Sequence, residues 1–247
     1  GDSVLILIYN NDHLRHLDSY CKLSAKHGIL RTASTPGEKI LVAITGYMAD
    51  SLDYRENLTY DALLKRNIDL RYDDCDRPVQ IGTYIGKILG YNYIDLEMEE
   101  VMSRIVVHSI RADFKGKSYE GKSLKNLRIY LIDVNSRASL LGNSNPVSIV
   151  NSDGLSETDL AEFVNPDMLF CYPHEKVDTN LLRLDAKLYA YPDYVMHSQG
   201  AMLVIEGTMD GKTYYYPFRI NRGIYSGGAE VSGIERGKSY TFDITLH

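Results

Sequence analysis

The sequence has no tryptophan, five phenylalanines and only three cysteines among its 247 residues. Cys21, Cys75 and Cys171 are odd in number and far apart. They form no CxxC pair and no Cys/His ligand spacing, which argues against structural zinc. Free thiols are expected, with one disulfide as the alternative. No apolar run approaches the ~20 residues that a membrane-spanning helix needs. HExxH, GxSxG, GxxxxGK[ST] and GxGxxG are all missing, so no zinc-protease, hydrolase or nucleotide-binding signature is present. A glycosidase-type carboxylate pair needs only proximity in space, and nothing in the sequence singles one out. A non-enzymatic protein without cofactor or metal is therefore expected. Charge of one sign is also scarce in the direction that nucleic acid requires. The net charge is −6, whereas a nucleic-acid binder presents a basic face.

Two acidic clusters were weighed as calcium loops, 73–76 and Glu97 with Glu99 and Glu100. Neither has the D-x-[DN]-x-[DN]-G spacing, so both read as solvated loops. His13 and His16 are three apart, but the turn residues beside them argue against a shared helical face. Gly227-Gly228 is not followed by a helix and offers no phosphate cradle.

What is abundant is tyrosine, with 20 residues. Tyrosine favours strands and half-wet surfaces, where the ring packs and the hydroxyl reaches a partner. The last fifty residues carry the clearest pattern. Asp210-Gly211 separates two β-like runs, 203–207 and 213–216, and is a strong two-residue hairpin cue. Beyond it, Tyr240, Phe242, Ile244 and Leu246 alternate with Thr241, Asp243, Thr245 and His247. That period of two predicts a strand with one face on a core and one in water.

Upstream, 4–9 and 39–44 are apolar runs expected as buried strands, and 18–23 pairs back on the first after a turn at 10–13. A short helix is expected over 57–65 with Asn57 as its cap. Two short strands are expected within 78–96, with Gly86 and Gly90 at turns or bulges. The composition shift at 97–100 sets a domain boundary, giving domains 1–98 and 99–247. A strand over 102–114 is expected to form a hairpin with 127–134 through a charged tip at 115–125. The polar stretch 140–167, with a helical turn at 155–162, reads as a long loop. Strands at 168–172 and 185–191 each stop at proline. Tyr172-Pro173, Tyr191-Pro192 and Tyr216-Pro217 mark strand ends, or an edge kept open or blunted. The whole predicts an all-β chain of two tandem antiparallel β-sandwiches with one or two short helices.

Several segments together resemble the fimbrillin-like (Mfa-like, type V pilus) subunits of Gram-negative anaerobes. They are 4–20, 35–47, 102–110 with Arg104, 127–134, 214–220, and 233–246 with Arg236 and Tyr240. Lys39 stands where those subunits usually carry an aromatic, and Thr45-Gly46 replaces the usual ending. The resemblance implies two transthyretin-like domains and export to the cell surface and outer membrane. It also implies a lipidated cysteine upstream of Gly1, itself expected to be a residue left by expression. Other pilus subunits would be the partners. Assembly would proceed by donor-strand exchange after an arginine-specific protease removes the first strand. Arg31 is the candidate processing position within the chain and Arg15 the second. Both fall inside the first sandwich, so the expected cut lies upstream of Gly1. Tyr240, Phe242, Ile244 and Leu246 are the candidate assembly edge, either closing the core or bordering a receiving groove. The alternative is a glycan-binding surface lipoprotein using Tyr191, Tyr194, Tyr214 and Tyr216 as a platform. The host or bacterial surface ligand stays open in both.

Overall fold

The computed structural model describes residues 3–24, 28–142, 149–150, 170–171, 176–193, 195–196, 200–224 and 230–247. The chain divides into two compact units. The first is Gly1–Val101 with Arg137–Ser144, and the second is Met102–Ser136 with Asn145–His247.

In the first unit, β1 (Ser3–Asn10), β2 (Leu17–Ser24), β3 (Gly37–Ile44), β5 (Gln80–Ile88) and β6 (Glu99–Glu100) form one antiparallel sheet in the order β2-β1-β3-β5-β6. The apolar runs of β1 and β3 do not alternate because both faces of these central strands are covered. On one face Val4, Ile6, Ile8, Leu41 and Ala43 pack under Leu30, Ile94, Leu96 and Met98, which come from two irregular straps. On the other face Tyr9 meets Tyr60 edge-on, with ring centroids 5.6 Å apart. That side carries α1 (Tyr47–Ser51), a 3-10 turn (Tyr54–Glu56) and α2 (Tyr60–Leu64). The short β4 (Asn67–Asp69) pairs with β10 (Arg137–Ser139), the segment that returns to this unit.

The helix cap falls two residues from its expected place. Thr59 caps α2, its Oγ1 accepting the Ala62 N–H at 3.2 Å. Asn57 instead closes the preceding turn. Its Nδ2 donates to the Asp53 carbonyl, and its own carbonyl accepts the Tyr9 hydroxyl. A short polar side chain next to two turns bonds whichever backbone group is nearer. Within 78–96 there is one strand rather than two, because Gly86 lies inside β5 and only Gly90, at φ 64°, turns the chain. The turn at 10–13 is closed by Asp12, whose Oδ1 accepts the N–H groups of Leu14 and Arg15.

The second unit is a sandwich of two sheets. One orders β12 (Phe170–Cys171), β8 (Lys125–Ile132), β15 (Met202–Met209) and β16 (Lys212–Arg219). The other orders β13 (Leu182–Ala190), β7 (Ser103–Ala112) and β19 (Ser239–Leu246). Smaller pairings join β9 (Val134–Asn135) to β11 (Ile149–Val150), and β14 (Val195–Met196) to β18 (Glu230–Ser232) and β17 (Arg222–Ile224). Inward residues include Leu127, Ile129 and Leu131 of β8, Leu203 and Ile205 of β15, and Ile105, Val107 and Ile110 of β7, all buried.

The expected hairpin between β7 and β8 does not form. The two strands belong to different sheets, and 113–124 carries the chain between them. Successive turns at Phe114, Lys117 and Tyr119 shape that crossing, with Phe114 and Tyr119 packed edge to face at 4.8 Å. The Asp210-Gly211 hairpin forms as expected. Met209 pairs with Lys212, and the two loop residues have φ of 52° and 75°, the left-handed pair that a type I′ turn requires.

Candidate functional site

The final strand β19 runs parallel to β7, from Ser239 opposite Arg104 to Leu246 opposite Ala112. The alternation read from the sequence holds. Ile244 and Leu246 are buried, Tyr240 and Phe242 half-buried, and Thr241 and Asp243 exposed. A parallel neighbour has no local sequence cue, since it depends on a crossover rather than a turn. The strand's entrance is fixed by Asp193, which is buried. Its carboxylate accepts the N–H of Ala201 at 2.6 Å and of Ile234 at 2.5 Å. Burial raises the Asp193 carboxyl above its usual range despite those bonds. The Tyr240 hydroxyl accepts the Glu235 N–H at 2.9 Å, and burial raises its pKa as well.

Midway along β19, Asp243 accepts from the Ser109 hydroxyl and lies 2.9 Å from His108 Nδ1. These two contacts, Ser109 first, hold its carboxyl below the usual carboxylate range. Among the described residues, no strand pairs with the outer edge of β19. Its side chains thus close the core, and no described strand covers its backbone edge.

Two further edges matter. On β16 the ladder to β15 uses Tyr214, Tyr216 and Phe218, so the backbone of Tyr215 and Pro217 points outward. Pro217 therefore removes a donor that the sheet does not use, and it blunts this edge. On β5 the ladder to β3 leaves the N–H and C=O of Thr83, Ile85 and Lys87 facing outward, and β6 covers only Gln80 and Ile81. Ile85, Leu89, Tyr91 and Tyr93 are exposed beside it. The sequence reading passed over this edge because Gly86 and Gly90 suggested turns.

Arg31 and Arg15 differ sharply in setting. Arg31 is exposed on a segment without secondary structure, and among the described residues its side chain has no ion-pair partner. Arg15 is at φ 49°, its carbonyl accepts the Tyr60 N–H, and its guanidinium pairs with Asp61 at 3.4 Å and covers the Tyr60 ring. Of the four tyrosines proposed as a platform, Tyr191 is fully buried and so takes no part in a surface. Tyr214 and Tyr216 are half-buried on one face of β16, and Tyr194 lies outside the described residues. Arg104 lies with its guanidinium 5.8 Å from the ring of Tyr189, its cross-strand neighbour on β13. The acidic run 73–76 caps its own loop. Asp73 accepts from Asp74 and Val79, and Asp74 accepts from Asp76.

These sheets and edges define an all-β architecture without a pocket-centred catalytic constellation among the described residues. No family model matches the sequence, and no curated protein matches it. The fold does match solved structures along nearly its whole length. A candidate cell adhesion protein of Parabacteroides distasonis aligns with a TM-score of 0.68 at 13% identity, covering 99% of this chain and 79% of that one. Fimbrilin of Porphyromonas gingivalis aligns at 0.61 and 12% identity, covering 98% and 82%. A fimbrial assembly protein of P. distasonis aligns at 0.52 and 12%, covering 99% and 83%. The chain thus has the fold of fimbrilin, which bears out the family resemblance at the level of fold.

Proposed function

We propose that the protein is a non-enzymatic subunit or accessory subunit of a cell-surface fimbria, acting in adhesion. The observation that carries this reading is the likeness of fold to fimbrilin and to a fimbrial assembly protein over 98–99% of the chain. Other pilus subunits are its partners, and a lipid anchor upstream of Gly1 holds the precursor at the outer membrane. Assembly proceeds by donor-strand exchange. Proteolysis removes a first strand, and a strand of the next subunit fills the vacancy with backbone bonds and alternating apolar side chains. A head-to-tail contact of this kind does not close on itself, so it builds a filament. The backbone edge of β19, which no described strand covers and which Tyr240, Phe242, Ile244 and Leu246 back, supports this route as a border for the incoming strand.

The test is to express the precursor with its upstream segment, cleave it with an arginine-specific protease, and follow the product by electron microscopy and native gel mobility. Filaments, or a stable pair with a partner subunit, are expected. Persistent monomers under all conditions would sink the proposal.

A further inference from the structure

At one end of the second unit lies an open cleft of roughly 550 Å³, lined by Lys122, Ser123, Lys125, Lys176, Thr208 and the Asp210-Gly211 turn, with Met209. It is remote in the sequence from the candidate processing arginines and makes no use of β19. An antiparallel bridge builds it. Leu124 N–H donates to the Val177 carbonyl at 2.9 Å, and Val177 N–H returns the bond at 2.8 Å. That bridge brings the segment of Lys176 beside the start of β8, so that Lys125 and Lys176 line the same cleft, and the ladder to β15 sets Thr208 opposite Lys125 on the other side. Like charges gathered in one cleft repel one another. Lys122 is neutralised by Asp210. Lys125 and Lys176 are exposed, and among the described residues neither has an ion-pair partner.

A chain of net charge −6 thus places two exposed ammonium groups on the lining of one cleft, with no described carboxylate paired to either. Departures from local electrostatic sense concentrate where a ligand restores the balance. An anionic group between the two lysines would turn the repulsion into two charge-assisted hydrogen bonds. The remaining lining is hydroxyl and turn backbone, with the Thr208 hydroxyl held by Asn126 Nδ2 at 3.1 Å. Among the described residues no aromatic ring lines the cleft, as a base-stacking groove for nucleic acid would require. Its volume falls within the ~300–1,000 Å³ of small-ligand sites, which is room for sugar rings around the charged group.

We infer that this cleft binds an anionic oligosaccharide, a sulfated or carboxylated glycan, with Lys125 and Lys176 on its acidic group. The inference is independent of the assembly route proposed above, because the cleft is complete within one chain.

The test is isothermal titration of the whole protein at low ionic strength with four probes. They are a heparin-derived tetrasaccharide, its desulfated counterpart, inorganic sulfate and a single-stranded oligonucleotide. The sulfated tetrasaccharide is expected to bind, and the desulfated one to bind far less. The double substitution Lys125→Gln with Lys176→Gln should weaken binding by about a hundredfold, the loss expected for two charge-assisted hydrogen bonds. Both side chains are exposed, so the variant folds, and removing the like-charge pair should leave Tm unchanged or raised. Equal affinity for the desulfated sugar, for sulfate alone or for the oligonucleotide would overturn the assignment. So would undiminished binding by the double variant, or no binding of the tetrasaccharide to the native chain.

Discussion

Lys39 Nζ lies 3.2 Å from Asp18 Oδ2, with the lysine side chain 1% exposed and the aspartate 9%. Lys39 also bonds the hydroxyl of Thr35 at 2.8 Å, and Thr35 in turn bonds both oxygens of Asp18 through its N–H and hydroxyl. The residue that departs from the family pattern thus pins the strap ahead of β3 to β2. Replacing Lys39 by Ala strands the Asp18 carboxylate, and the expected loss is about 3 kcal/mol. Urea unfolding checks this. Replacing Lys39 and Asp18 together by apolar residues should recover most of the loss.

The same pair sets a pH dependence. Burial works to raise the Asp18 carboxyl, but the hydrogen bonds from Thr35 and Lys39 outweigh it and leave it below the usual carboxylate range. A depressed folded-state value stabilises the fold above the unfolded value of about 3.9, and that stability is lost as the pH falls below it. Asp243 acts in the same direction through Ser109 and His108. Thermal melts should show stability falling in acid below about pH 4, and the fall should shrink in Asp18→Asn. An acid limb unchanged by that substitution would contradict the argument.

Gly207 lies on β15 where a Cβ would come within 2.4 Å of Leu124 Cγ. Gly207→Ala is expected to cost about 1–3 kcal/mol through overpacking. Adding Leu124→Ala removes the γ and δ carbons that the new Cβ would meet, so the double variant should be less unstable than the sum of the two. A double-mutant cycle by denaturant titration measures that coupling.

Pro217 guards an edge. Pro217→Val restores an outward N–H on β16 beside the exposed Tyr215 ring, leaving a longer unbroken edge. Self-association that grows with concentration is the expected result, read by light scattering, with little change in the melting temperature.

Proteolysis should separate the two arginines. Limited digestion with an arginine-specific protease is expected to cut at Arg31 before Arg15, because a protease binds extended, accessible backbone. Arg15 is held by Asp61 and Tyr60. Mass spectrometry of early fragments decides the order, and Arg31→Gln should remove the first of them.

The sequence made some of this architecture legible and hid the rest for definable reasons. The Asp210-Gly211 turn and the alternation from Tyr240 to Leu246 were readable because a tight turn and a half-buried strand are encoded locally. The partners of β7 were not. Alternation says which side chains face inward, and it is blind to which sheet a strand joins. A charged, glycine-bearing connection such as 113–124 looks the same whether it closes a hairpin or crosses between layers. The lysine cleft was hidden for the same reason, since Lys125 and Lys176 are far apart in the chain and meet only through the bridge at Leu124 and Val177.

The parallel pairing of β19 with β7 has a mechanical consequence. Met102 stands beside the start of β7 and His247 beyond the end of β19, while the chain also passes between the units at 136–137 and 144–145. Because the strands run the same way, these two points lie at opposite ends of the ladder. Tension between them slides one strand along the other and loads the hydrogen bonds from Ser239 to Leu246 together. An antiparallel pair joined at those ends would be peeled open one bond at a time. The β7–β19 pairing is thus one that tension between Met102 and His247 would shear rather than unzip.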